Sequence, residues 1–118
     1  MKYACLIYGD GNLEDPLPAI EMDALLAETL AYHEELRRQG HFIIAHPLDP
    51  AQSATTIRTR GGKLSTTDGP FAETKEQLGG FFLIEAQDLN EAIRIASRHP
   101  SARVDTIEIR PMRDMPER

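Results

Sequence analysis

Apolar and polar positions follow three different rhythms along this chain, and each change of rhythm marks an element. Residues 2–8 (KYACLIY) are apolar on both faces, as expected of a strand inside a sheet. Gly9-Asp10-Gly11-Asn12 breaks the run, and Glu14-Asp15-Pro16-Leu17-Pro18 predicts a proline-stiffened loop. From about Ile20 to Gln39 the period becomes 3.6 residues. Met22, Leu25, Leu26, Thr29, His33 and Leu36 fall on one stripe, with Glu21, Glu28, Ala31, Glu34, Glu35 and Arg38 on the other side. Glu34 and Arg38 make an i,i+4 pair, and Gly40 stands where a glycine ends a helix.

The second half repeats the alternation. His41 to His46 predicts a second strand closed by Pro47. Thr55 to Arg60 is rich in β-branched residues, Gly61-Gly62 is a hairpin signal, and Lys63 to Thr67 pairs back. Gly80 to Ala86 is a strand apolar on both faces. Asp88 and Glu91 match a capping box that starts a second helix, with Leu89, Ala92, Ile93 and Ala96 expected inward and an end near His99-Pro100. Val104 to Arg110 supplies the last strand.

The order is therefore β-α-β-hairpin-β-α-β. An antiparallel sheet with both helices on one face, the ferredoxin-like α+β arrangement, is its economical packing. Two helices cover one face only, yet neighbouring residues such as Leu83 and Ile84, or Ile43 and Ile44, point to opposite faces. The second face requires another cover, and a second copy of the chain is the simplest. A homodimer is expected.

Composition narrows the function classes. The 118 residues suit one domain spanning the chain, 41% are hydrophobic and 27% charged, and the balance is that of an ordinary globular protein. No apolar run approaches the roughly 20 residues of a membrane span, so no membrane role is expected. Cys5 stands alone in an apolar strand, which points to a cytoplasmic address and an inert thiol. The net charge of −6, with only Arg58, Arg60 and Lys63 grouped around the hairpin, argues against direct nucleic-acid binding. No nucleotide-binding string is present, and His33, His41, His46 and His99 show no close ligand spacing. Neither a cofactor nor a metal is expected.

The segment TDGPFAETKEQLGGFF (Thr67 to Phe82) is a long polar, glycine-punctuated stretch between apolar runs. With MKYACLIYGD at the start and Ile107 to Pro111 (IEIRP) near the end, it resembles the DGPF branch of the YCII-related domain family over nearly the whole chain. The resemblance implies a dimeric α+β barrel of two ferredoxin-like sheets facing each other. It also implies a histidine–aspartate pair suspected of enzymatic activity, chlorinated aromatic intermediates as substrates of some members, and an association of DGPF members with sigma factors. In the family the histidine sits in the first helix, eleven residues before the closing glycine. Counting back from Gly40 reaches Thr29, and His33 lies one turn later on the same stripe. Threonine cannot serve as a base near neutral pH, whereas imidazole can.

Asp68 is the foremost candidate for a catalytic carboxylate. Asp68-Gly69-Pro70 is also a well-formed turn sequence, and a rigid turn is a sound mount for an acid. His46, at the end of the second strand, is the candidate imidazole from the sheet. Tyr8, Thr29, Tyr32 and His33 are candidate ligand-binding residues of the same cleft, although tyrosine is commonly a core-edge residue and a helical threonine commonly bonds back to its own helix. Phe71 and Leu78 anchor the DGPF segment, and a helical turn is expected over Ala72 to Gln77. Two function classes follow. One is a small-molecule enzyme or binding protein acting on a small polar or aromatic metabolite in a cleft near Asp68. The other is a noncatalytic partner of a sigma factor in transcription initiation.

Overall fold

A four-stranded antiparallel sheet carries two helices on one face, and an extended hairpin leaves it from one edge. The structure, a computed structural model, describes residues 1–10 and 18–116. The elements are β1 (Lys2–Gly9), α1 (Ala19–Arg38), β2 (Phe42–Pro47), β3 (Thr55–Arg60), β4 (Lys63–Asp68), β5 (Gln77–Glu85), α2 (Leu89–Arg98) and β6 (Thr106–Pro111). The main sheet runs in the order β2-β5-β1-β6, and β3 with β4 forms a separate two-stranded sheet. The α+β, ferredoxin-like expectation holds at this level. The expected loop at Glu14-Asp15-Pro16-Leu17 lies outside the described residues.

Register decides which side chains meet the helices, because directly paired residues of antiparallel strands share a face. Tyr3, Cys5 and Ile7 of β1 pair with Ile84, Phe82 and Gly80 of β5, and with Pro111, Ile109 and Ile107 of β6. This face is buried: Tyr3, Cys5, Phe82 and Ile84 pack with Leu36 of α1 and with Ala92, Ile95 and Ala96 of α2. The opposite face carries Ala4, Leu6, Tyr8, Leu83 and Phe81, with Ile44 and His46 of β2 in line with Leu83 and Phe81 on one side and Arg110, Glu108 and Thr106 of β6 beside Ala4, Leu6 and Tyr8 on the other. Neither helix covers it. The outline measures 48 × 47 × 19 Å, and the radius of gyration is 16.5 Å, against about 13–14 Å for a compact chain of this length.

Local signals act as the sequence indicates, with corrections. Asp88 accepts a hydrogen bond from the Glu91 N–H at 2.9 Å, and the Glu91 carboxylate accepts from Gln87 N–H at 2.8 Å, so the capping box is formed. In α2, Ile95 is buried while Leu89 and Ile93 are about half exposed. The inward face is therefore Ala92, Ile95 and Ala96, because the helix meets the sheet along its small residues. In α1, Met22 and Leu26 are exposed, and burial begins with Leu25 and deepens toward Leu36. The fifth strand starts at Gln77, three residues before Gly80, since Gln77 and Leu78 still pair with Gly9 and Tyr8. No helical turn forms over Ala72 to Gln77. There the Gln77 amide donates to the carbonyls of Ala72 and Thr74, and those side-chain bonds replace the backbone bonds of a helix. The last strand begins at Thr106, preceded by a short 3-10 turn over Pro100–Arg103.

Candidate functional site: the cavity beneath the first helix

The first half of α1 overhangs the ends of β1, β2 and β5 and leaves a cavity of about 480 Å³. That is within the usual range for small-molecule sites. Its walls are mostly apolar, from Met22, Leu26 and Leu30 of the helix and Ile7, Leu78 and Phe82 of the sheet. Polar groups interrupt them: His33 and Thr29 from α1, His99, Ser101 and Asp105 from the link between α2 and β6, and Asp10, His46, Asp49 and Gln77 at the strand ends.

The two histidines are the chemical centre. His33 and His99 approach with their Nε2 atoms 2.9 Å apart. The Ser101 backbone N–H donates to His99 Nδ1 at 3.1 Å, so Nδ1 carries a lone pair and the neutral ring holds its proton on Nε2. That Nε2–H donates to His33 Nε2, and the neutral His33 ring then keeps its proton on Nδ1. His99 is buried, and its ring stacks on Phe82 with centroids 4.3 Å apart. Burial lowers the His99 pKa to about 4, with the neighbouring His33 acting in the same direction. Burial, reinforced by Arg37, also lowers that of His33. Desolvation disfavours the charged imidazole in both cases. Near neutral pH both rings are uncharged.

Tyr32 braces this arrangement from behind. Its hydroxyl donates to the Ile95 carbonyl at 2.7 Å, tying α1 to α2, and its ring meets His99 edge-on at 5.9 Å.

A model of the YCII-related domain matches residues 1–116. The chain belongs to the YCII-related domain family. An uncharacterized protein of Rhizobium meliloti is 34% identical over 114 residues, covering 95% of this chain and 92% of that one. Among solved structures, 5-chloro-2-hydroxyhydroquinone dehydrochlorinase (TftG) from Burkholderia phenoliruptrix, in complex with 2,5-dihydroxybenzoquinone, is similar with a TM-score of 0.51. It is 16% identical, and the match covers 96% of this chain and 94% of that one. This likeness is one of fold.

Within this YCII-related domain the six sequence candidates separate. Thr29, His33 and His46 line the cavity, whereas Asp68, Tyr8 and Tyr32 are not among its lining residues. Thr29 donates its hydroxyl to the Leu25 carbonyl at 2.8 Å, the back-bonded state open to a helical threonine. His46 shares the helix-free face with Phe81, the rings 6.3 Å apart. Tyr8 pairs with Thr106 on that same face. Asp68 closes β4, exposed, beside Gly69 at φ +100°. Among the described residues no group of three or more His, Cys, Asp or Glu side chains is placed to hold a metal ion. No helix among them is long and apolar enough to cross a membrane.

Sequence reasoning missed His99 as the partner of His33. It lies 66 residues away, next to a proline that marks a helix end, and only the helix-over-sheet packing brings it into the cavity.

Proposed function

We propose that this protein binds a small oxygenated aromatic molecule in the cavity beneath α1, and that His33 acts on it as a neutral hydrogen-bond donor. The carrying observation is the His33–His99 contact in a mostly apolar cavity. His99 occupies His33 Nε2, which leaves the Nδ1–H as the group His33 can offer to a ligand. A neutral imidazole that donates to a carbonyl or phenolic oxygen polarises it without the cost of burying a cation. The apolar walls suit a flat ring, and the polar groups set among them orient it. The ligand of the dehydrochlorinase of similar fold, 2,5-dihydroxybenzoquinone, belongs to this chemical class and supports the choice of probes.

The finer assembly belongs to the same proposal. A second copy packs its helix-free face against that of the first, burying Leu6, Phe81, Leu83 and Ile44 between two sheets in a dimeric α+β barrel. The apolar side chains at the centre of that face support it, bordered on β6 by the Glu108–Arg110 ion pair, as does the flat outline of the single chain.

Calorimetric titration with 2,5-dihydroxybenzoquinone and with hydroquinone tests the ligand reading. His33→Phe keeps a ring beside Phe42, which His33 meets at 5.1 Å, but removes both nitrogens. Affinity should fall about tenfold, the value of one well-placed hydrogen bond. Absence of binding by the unmodified protein, or equal affinity in the variant, would count against the reading.

A further inference from the structure

We infer that Asp105 is the ligand-binding carboxylate of this cavity, accepting a hydrogen bond from a hydroxyl on the ligand, and that Gly9 keeps the space in which it sits. The inference rests on the cavity being the binding site and adds the ligand's second point of attachment.

Register sets up the approach. Tyr8 of β1 pairs with Thr106 of β6, so Gly9 and Asp105 come next on the adjoining strand ends. They stand on the helix side, as Ile7 and Ile107 do. A Cβ on Gly9 would lie 2.5 Å from Asp105 Oδ1, well inside contact distance. The carboxylate therefore rests over the glycine Cα in space that any other residue would fill. Gly9 has no positive φ to require glycine; its missing side chain leaves the room in which the carboxylate stands, and a larger residue would push the carboxylate aside. The Asp105 backbone N–H donates to the Ser101 carbonyl at 2.8 Å, joining this carboxylate to the turn whose N–H fixes His99. Asp105, Gly9, Ser101, His99 and His33 all line the one cavity.

Asp105 stands at the rim, exposed in the free protein. Partial burial, with Glu76 nearby, holds its carboxyl above the usual range, and like charge together with desolvation disfavours ionisation. A ligand hydroxyl is the complement such a group lacks, because a charge-assisted O–H bond stabilises the ionised form. Among its polar lining the site then offers an acceptor at Asp105 and an N–H donor at His33. A ring bearing a hydroxyl near one end and an oxygen acceptor at another satisfies both. Hydroquinone is the simplest such probe, and its dimethyl ether keeps the ring and oxygens but has no proton to give.

The experiment titrates hydroquinone and its dimethyl ether into the full-length protein, Asp105→Asn and Gly9→Ala. Asp105→Asn removes the charge at an exposed position. Gly9→Ala displaces only the end of a flexible side chain, so circular dichroism should match the unmodified protein for both. Hydroquinone should bind the unmodified protein and lose about tenfold or more in affinity in Asp105→Asn, as expected for one charge-assisted hydrogen bond. Gly9→Ala should weaken it in the same direction, while the ether binds all three proteins equally. Hydroquinone affinity unchanged in Asp105→Asn would overturn the role of Asp105 and leave the cavity reading standing. If the unmodified protein bound neither compound, both would fall.

Discussion

His33 and His99 share a single proton between facing Nε2 atoms 2.9 Å apart, and the Ser101 N–H on the far side of His99 fixes which ring donates. Adding a proton to His33 would set two N–H groups against each other. Adding one to His99 would set a new Nδ1–H against the Ser101 N–H. The contact is therefore stable only while both rings are neutral.

Acid should destabilise the fold through this pair. The folded-state pKa of His99, about 4, lies below its ordinary 6.5, so the unfolded chain takes up the proton first. The stabilising contribution is complete above about pH 6.5 and is lost as pH falls toward 4, at up to about 1.4 kcal/mol per pH unit. His33, also lowered, acts in the same direction. Urea unfolding at pH 7.5 and pH 5 should show a lower midpoint in acid. His99→Asn keeps an acceptor for Ser101 but loses the ring against Phe82, so it should be less stable at pH 7.5 and show a flatter pH dependence. An unchanged slope in that variant would assign the acid effect elsewhere.

Cys5 should be chemically silent. It is fully buried in β1 between Phe82 and Ile109, and burial pushes its thiol up to about 12. Only the thiolate attacks. A chromogenic disulfide reagent should leave the native protein unmodified over hours and titrate one thiol promptly in denaturant. Rapid labelling of folded protein would contradict the strand packing described above.

Light scattering at low micromolar concentration should report twice the chain mass of 13.2 kDa. An obligate interface commonly buries roughly 2,000 Å² or more. Leu83→Asp places a charge at the centre of the helix-free face, where burial without a partner is costly, and should yield monomer or unfolded chain. A dimer of undiminished stability in Leu83→Asp would show that this face is not the contact.

Asp68→Asn should be mild. The residue is exposed and lies outside the cavity lining, and asparagine suits such turns nearly as well as aspartate. Stability should change by less than ~1 kcal/mol, with hydroquinone affinity unaltered. A selective loss of binding would return Asp68 to the site, most simply through a second copy of the chain.

The fold was legible where local chemistry and packing agree. Gly40, Gly61 and Gly62 adopt positive φ at the helix end and hairpin turn, and Asp88 caps α2, each at the place its residue type suggests. The errors have physical sources. Gly79 masks the start of β5 because propensity scores glycine as a breaker, and at Gly80 the His46 carbonyl oxygen comes within 3.1 Å of where a Cβ would be, tighter than an ordinary side-chain contact. Ile95 replaces Ile93 at the interface because both fit a helical stripe and only the docking angle chooses between them. At the cavity, Thr29 and His33 could be picked out as polar groups on an apolar helix stripe, whereas His46 borders it from the end of β2 with its ring on the helix-free face. His99 and Asp105 could not, since each becomes chemical only through residues far away in sequence.

Both rims of the sheet end in proline: Pro47 closes β2 and Pro111 closes β6, the two outermost strands. Proline has no N–H to donate to a further strand, and Glu108 and Arg110 add charges along the β6 rim. Sideways growth of the sheet into fibrils is thereby discouraged at each border. The helix-free side of the sheet has no such border, and the proposed pairing of two chains there would leave no open strand edge for further growth.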